Sequence, residues 1–250
     1  MERLRRQRSV NQGVNNAFGH TVDNLPVPSL EPYQDRQWPL IEKKYAAMVT
    51  RLDRDVGRIL DLLEELGVGE NTIVMFSSDN GAQSYAPHGK DFFQSTAGLR
   101  GYKGRVYEGG IRTPFLVRWP RVVEPGAVSD HVSAFWDLWP TIAELAGGQP
   151  PKDIDGISFL PTLKGKPQPR HEYLYWEFPA RGYQQAIRKG KWKAVRPRAD
   201  RPIELYDLQS DPREARDVAR QHPELVAEFA ELFKSARTDS DHWPFPGQDK

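Results

Sequence analysis

The sequence predicts an α/β protein: a mostly parallel sheet with flanking helices, followed by a small C-terminal antiparallel sheet carrying one helix. Three observations predict it. A strongly amphipathic helical stretch leads into a short apolar run rich in β-branched residues, and a second such run follows further along the chain. The last third then turns to aromatic segments, punctuated by a Lys-Gly turn and closed by a helix.

Taken in order, residues 1–39 read as irregular, because Asn15-Asn16 and then Pro26, Pro28, Pro32 and Pro39 interrupt any period. Over residues 45–66 the apolar positions Tyr45, Val49, Leu52, Val56, Ile59, Leu60, Leu63 and Leu66 fall mostly in steps of three and four. Arg51, Arg54, Arg58, Asp61 and Glu65 take the other side, which predicts a helix that Gly67 and Gly69 end. Residues 72–76 suit a strand buried on both faces. Ser77-Ser78-Asp79-Asn80-Gly81 then opens a long glycine-bearing connection through Gly98, Gly101 and Gly104 to Glu108-Gly109-Gly110, and a connection of that length is either functional or disordered.

A second buried strand is expected over residues 113–119, and a helix over 134–146 with Phe135, Leu138, Trp139, Ile142 and Leu145 on its apolar face. Pro140 confines the regular part of that helix to a start near Asp137, and Trp136 and Trp139 are expected in the core. Residues 149–169 form a proline-rich connection. Beyond it come an aromatic strand over 173–178, a hairpin flanking Lys189-Gly190, a strand over 204–208, a turn at Asp211-Pro212 and a helix over 223–236. A domain boundary is placed near residues 165–170.

Composition narrows the function classes. A chain of 250 residues, 38% of them hydrophobic, supports the core of one large or two small domains. The net charge of +1 argues against nucleic acid or an anionic membrane as the main partner. With no cysteine, disulfides, thiolate metal sites and cysteine nucleophiles are all excluded. No apolar run reaches the roughly 18 residues that a membrane helix needs. The basic start, Met-Glu-Arg-Leu-Arg-Arg-Gln-Arg, is not followed by the apolar stretch of an export signal.

Asp79 and Asn80 sit where ligands collect in open α/β sheets, at the carboxyl end of a strand, and offer hard oxygen donors of the kind Ca²⁺ or Mg²⁺ takes. An ordinary Asp-Asn-Gly turn is the competing reading. Lys103, between Gly101 and Gly104, is placed to approach an anion, against the alternative of a solvated loop lysine; Arg100, Arg105 and Arg112 add positive charge. His88 lies on the connection after the Asp-Asn pair. Phe92 and Phe93 read as packing residues, and His171 either caps a strand end or faces the site across the boundary.

Several motifs in sequence carry a resemblance. Ala46-Ala47-Met48-Val49-Thr50-Arg51-Leu52-Asp53, Phe76-Ser77-Ser78-Asp79-Asn80-Gly81, Gly98-Leu99-Arg100-Gly101-Tyr102-Lys103, Tyr107-Glu108-Gly109-Gly110-Ile111-Arg112-Thr113-Pro114 and Asp155-Gly156-Ile157-Ser158-Phe159-Leu160 together resemble the arylsulfatases, the formylglycine-dependent sulfatases, in order and spacing. The match is to the C-terminal part of such an enzyme. The resemblance implies an alkaline-phosphatase-like fold, incomplete here. Residues 1–13 would be a non-native or disordered leader, 14–168 the C-terminal part of the catalytic domain and 169–250 the antiparallel-sheet subdomain.

It further implies that Asp79 and Asn80 bind Ca²⁺, that Lys103 is catalytic and contacts the sulfate, and that His88 and Arg100 are further substrate contacts. The substrate would be a sulfate ester, with no nucleic acid or membrane partner and with the missing N-terminal half as a partner. A periplasmic or extracellular location would follow for the complete enzyme. The sequence departs from the family at the formylglycine nucleophile, which is made within Cys/Ser-x-Pro-Ser-Arg. The only Pro-Ser pair here, Pro28-Ser29, has Pro26 and Leu30 at the flanking positions. The paired N-terminal aspartates have no counterpart, and His20 is out of register with the family's histidine before Asn15-Asn16. Two alternatives stand beside the sulfatase: a phosphodiesterase or phosphonate hydrolase of the same superfamily, and a catalytically inactive, sulfatase-like anion-binding protein. Asn80 favours the sulfatase, since the phosphate-directed relatives place a histidine there.

Overall fold

The computed structural model describes residues 27–84, 89, 91–240, 242 and 244–246. The expected leader over 1–13 and His88 lie outside the described residues. The chain forms two compact units: Met1–Ile73 with Gln83–Gln94, and Val74–Ala82 with Ser95–Lys250.

In the first unit, helix α1 spans Leu40–Glu65, beginning before the apolar stripe because Pro39 precedes it as N-cap and its carbonyl accepts from Glu42 and Lys43 N–H. At the other end, Val68 N–H reaches Leu63 O at 3.1 Å and Gly67 N–H reaches Glu64 O at 2.9 Å. This paired closure needs a left-handed residue at Gly67, whose φ is +67°. Only Glu42, Ala46 and Ala47 of this helix are buried, and Val49, Ile59 and Leu66 of the stripe are exposed. Tyr33, Trp38, Tyr45, Phe92 and Phe93 form one chain of ring contacts, with Phe92 and Phe93 edge to face at 4.7 Å. Phe93 therefore packs, as the sequence suggests, whereas Phe92 makes ring contacts but stays 44% exposed.

In the second unit, strands β1 (Val74–Ser77) and β2 (Phe115–Arg118) make a two-stranded sheet. The α/β class stands. The described pair, however, runs antiparallel, with Val74 opposite Arg118 and Ser77 opposite Phe115. A continuous apolar run reports burial and carries no information on strand direction, so the parallel expectation fails at this pair. Between the two strands lies the single-turn helix α2 (Glu108–Ile111).

Helix α3 (Leu138–Leu145) follows a 3₁₀ turn at Phe135–Asp137, so the regular helix starts near Asp137, its N-cap, as expected. Its buried side is polar. The Asp137 carboxylate accepts from Ala134 N–H and Ile157 N–H, and Thr141 Oγ1 donates to Asp137 O while accepting from Phe159 N–H. Trp139 is 65% exposed and Ile142 is also exposed, which corrects the expectation of a core Trp139. The apolar periodicity marks a face with no cover among the described residues. Helix α4 (Leu160–Leu163) is short.

Four strands, β3 (Leu174–Phe178), β4 (Gln184–Lys189), β5 (Trp192–Arg196) and β6 (Glu204–Asp207), form an antiparallel meander in that order. The β4–β5 hairpin turns at Gly190, with Lys189 opposite Trp192. The period-two alternation sends neighbouring residues to opposite faces. Ile187, Ala194 and Leu205 pack with Phe229 and Phe233 of helix α5 (Pro223–Ser235); Ala186, Val195 and Tyr206 pack with Val106 and Tyr107 of the glycine-bearing connection. The sheet is thus buried on both faces, and burying each phenylalanine contributes about 1.5–3 kcal/mol.

Candidate functional site

The site begins at the turn after β1. Ser78 Oγ donates to Asn80 O at 2.9 Å, tightening the turn, and Asn80 Nδ2 donates to Asp79 Oδ1, so both side chains lie together. Gly81 N–H donates to Gly110 O at 2.9 Å. A Cβ at Gly81 would lie 2.0 Å from Gly109 O, so only glycine permits this approach.

Lys103 N–H donates to Ala82 O at 2.9 Å, which brings the Lys103 loop directly against the Asp79-Asn80 turn. The same loop folds on itself through Gly109 N–H to Arg100 O at 2.7 Å and Arg105 N–H to Tyr102 O at 3.0 Å. Asp79 and Asn80, singled out together as oxygen donors, and Lys103, singled out as a cation, therefore share one loop cluster.

Beneath this cluster lies a group that the sequence reading missed. Lys193 on β5 donates to Glu108 Oε1 at 2.8 Å and pairs with Glu214 Oε1 at 2.8 Å, while Glu108 N–H donates to Glu214 Oε2 at 2.7 Å. All three side chains are buried. Burial pushes the Glu214 carboxyl above its ordinary value, with Lys193 opposing. This triad clamps α2, whose Gly109 and Gly110 in turn back the Asp79-Asn80 turn. One signal was readable: Lys193 is two residues from the core residue Val195, hence on the same buried face of β5.

Arg100, expected near the substrate, is held by protein groups. Its guanidinium donates to the Tyr206 hydroxyl, to Glu214 O at 3.1 Å and to the Tyr107 hydroxyl at 3.2 Å, lies 4.0 Å from the Tyr107 ring centre and is 3.6 Å from Glu204. Of these partners Tyr206 lies on β6, Tyr107 on the same loop as Arg100, and Glu214 beyond β6. His171 Nε2 lies 2.9 Å and 3.0 Å from the two Asp137 carboxylate oxygens, which sets it against the start of α3.

The donors fit a hard cation in kind. Asp79 Oδ2 and Asn80 Oδ1 have no protein partner among the described residues, and a carboxylate beside an amide oxygen suits Ca²⁺. They supply two ligands where Ca²⁺ takes about six to eight; among the described residues no group of three or more His, Cys, Asp or Glu converges as a metal cage. The residues present do not fit the other implied group: no cysteine and no Cys/Ser-x-Pro-Ser-Arg segment occurs in the sequence to yield a formylglycine.

A family model described as Sulfatase matches residues 17–148, and one described as N-sulphoglucosamine sulphohydrolase, C-terminal, matches residues 101–239. The chain belongs to the sulfatase family. Among the sulfatases it is similar to, the N-acetylgalactosamine-6-O-sulfatase of Bacteroides thetaiotaomicron is 34% identical over 213 residues, 76% of this chain and 41% of the relative. The steryl-sulfatase of Mus musculus is 42% identical over 159 residues, covering 60% of this chain and 25% of the relative. The crystal structure of Ps i-CgsB aligns with a TM-score of 0.75 at 26% identity, over 92% of this chain and 53% of that one. A phosphonate monoester hydrolase of Agrobacterium radiobacter shares the fold at 24% identity and a TM-score of 0.59, over 78% of this chain and 40% of that one. This sulfatase-family chain thus spans about half or less of the relatives it matches. Among its described residues, no helix is long and apolar enough to cross a membrane.

Proposed function

We propose that this chain forms part of the active site of a sulfuric ester hydrolase, with residues 14–168 as the C-terminal part of the catalytic domain and 169–250 as its sheet subdomain. The observation that carries this is the hydrogen bond from Lys103 N–H to Ala82 O, which sets a cationic loop against the Asp79-Asn80 turn in a sulfatase-family chain. Asp79 and Asn80 would hold Ca²⁺, which when bound supplies positive charge toward the oxygens of the ester. Lys103 orients the sulfate and stabilises charge on its oxygens as a fixed ammonium. His88 is a further substrate contact on the sequence alone. The nucleophile that cleaves the ester comes from none of these residues.

Calorimetric titration of the chain with CaCl₂, and then with an aryl sulfate, tests the assignment. Asp79→Ala abolishes Ca²⁺ binding, whereas Lys103→Ala retains it and weakens aryl sulfate binding at least tenfold. Unchanged Ca²⁺ binding in a folded Asp79→Ala variant sinks the metal role.

A further inference from the structure

The buried Lys193–Glu108–Glu214 cluster is tied to both loops of the candidate site. Glu108 opens α2, and the two glycines that follow it are closely seated. A Cβ at Gly109 would lie 2.6 Å from Gly101 O and 2.7 Å from Arg100 O, and one at Gly110 would lie 2.7 Å from Tyr102 O, so α2 rests directly on the backbone that carries Lys103. Gly110 O also accepts from Gly81 N–H at 2.9 Å, the bond that holds the Asp79-Asn80 turn. One short helical turn therefore touches the Asp79-Asn80 turn and the Lys103 loop at once.

What fixes α2 comes from the C-terminal sheet. Lys193 on β5 holds the Glu108 carboxylate, and Glu214, beyond β6, accepts from the Glu108 main-chain N–H. Arg100 adds a second tether: its carbonyl accepts from Gly109 N–H at 2.7 Å while its guanidinium donates to Glu214 O at 3.1 Å. Stability does not explain a cluster of this kind, because well-packed apolar side chains of similar volume often serve a fold as well or better. Direction does. Charge-assisted hydrogen bonds on both the side chain and the main chain of Glu108 fix its position and its rotation, whereas apolar contacts tolerate sliding.

We propose that Lys193 and Glu214 are positioning residues: acting through Glu108, they set how the Asp79-Asn80 turn and the Lys103 loop face each other, so that the C-terminal sheet governs how the site presents its metal ligands and its cation to a sulfate ester. Neither residue is itself a ligand. The proposal rests on the reading of Asp79 and Asn80 as metal ligands and of Lys103 as the sulfate contact. A purely structural role would lower stability alone. A positioning role loosens both loops in a chain that stays folded, and it weakens metal and sulfate binding together although different side chains make the two sets of contacts.

Amide hydrogen exchange on the full chain, well below its melting temperature, reads the two loops without any ligand. In Lys193→Met/Glu108→Gln/Glu214→Gln, which removes the charges and keeps side chains of similar size, the Gly81 and Lys103 amides exchange at least tenfold faster than in the parent chain. Calorimetry with CaCl₂ and with an aryl sulfate shows both affinities weakened at least fivefold. Phe229→Leu, in the core on the opposite face of the sheet, is the control: it lowers the melting temperature and leaves both amides and both affinities unchanged. If the triple variant does not fold, Glu214→Gln, which keeps an acceptor for Glu108 N–H, takes its place with an effect of at least threefold on the same amides. Unchanged exchange at Gly81 and Lys103 in the folded variant overturns the positioning role, and so does an equal response in Phe229→Leu. Failure of the site reading is distinct: it appears as unchanged Ca²⁺ binding in Asp79→Ala and unchanged aryl sulfate binding in Lys103→Ala, and the exchange rates then decide the positioning role by themselves.

Discussion

Lys193 and Glu214 form an ion pair at 2.8 Å in which neither side chain reaches water. The aligned hydrogen bond from the same ammonium goes to Glu108. Two carboxylates thus share one buried cation, and removing the cation leaves both uncompensated. Lys193→Met is expected to destabilise the fold by about 3–5 kcal/mol. Denaturant unfolding checks this, with Lys193→Met/Glu108→Gln/Glu214→Gln recovering part of the loss.

The same group sets a pH dependence. Burial raises the folded-state pKa of Glu214 above its unfolded value, so the folded protein holds this proton more tightly. Its contribution to stability is then greatest below the ordinary carboxylate range and is lost as pH rises through the raised folded value. Glu214→Gln removes this slope from a pH series of unfolding free energies; an unchanged slope contradicts the assignment.

Gly81 carries a steric prediction. Gly81→Ala forces a methyl against Gly109 O, separating the Asp79-Asn80 turn from α2. Ca²⁺ affinity measured by calorimetry falls at least tenfold, whereas Gly57→Ala, at a position with open space around it, leaves affinity unchanged.

His131 titrates in the opposite sense to Glu214. Burial first, and then His171 and Arg170, lower its pKa, with Asp137 opposing, and its Nε2 is buried without a partner among the described residues. A depressed folded-state pKa means that stability is present above the unfolded value near 6.5 and is lost as pH falls toward the folded value. His131→Gln flattens the stability profile below that pH, which thermal melts across the range would register.

Leu116 on β2 is 63% exposed and Trp139 on α3 is 65% exposed. Large apolar side chains so open to water favour self-association. Leu116→Glu/Trp139→Glu is expected to lower light scattering and dye binding with little change in melting temperature. A collapse in melting temperature shows instead that these side chains are packed.

Helix α1, the Gly190 hairpin and the meander closed by α5 were legible because each rests on local periodicity and local turn chemistry. Asp79, Asn80 and Lys103 were legible as residue types, but their proximity depends on the Lys103–Ala82 hydrogen bond, a contact between chain segments that no spacing encodes. Lys193, Glu108 and Glu214 escaped because a charged residue reads as solvated until its partner is known, and here the partners are far along the chain. Trp139 misled for the converse reason: a periodic apolar face shows that cover is needed without showing what supplies it. The strand run over 72–76 likewise left direction open, which the antiparallel register of β1 and β2 settles.

Val106 and Tyr107 lie in the core of the C-terminal meander although they belong to the connection that carries Lys103. Residues on both sides of the boundary expected near 165–170 therefore share one core. A chimera in which residues 169–250 are replaced by those of another sulfatase would leave Glu108, Val106 and Tyr107 without the Lys193, Glu214 and sheet residues they are fitted to. Diversification of this part of the fold has to proceed by joint replacement of loop and sheet.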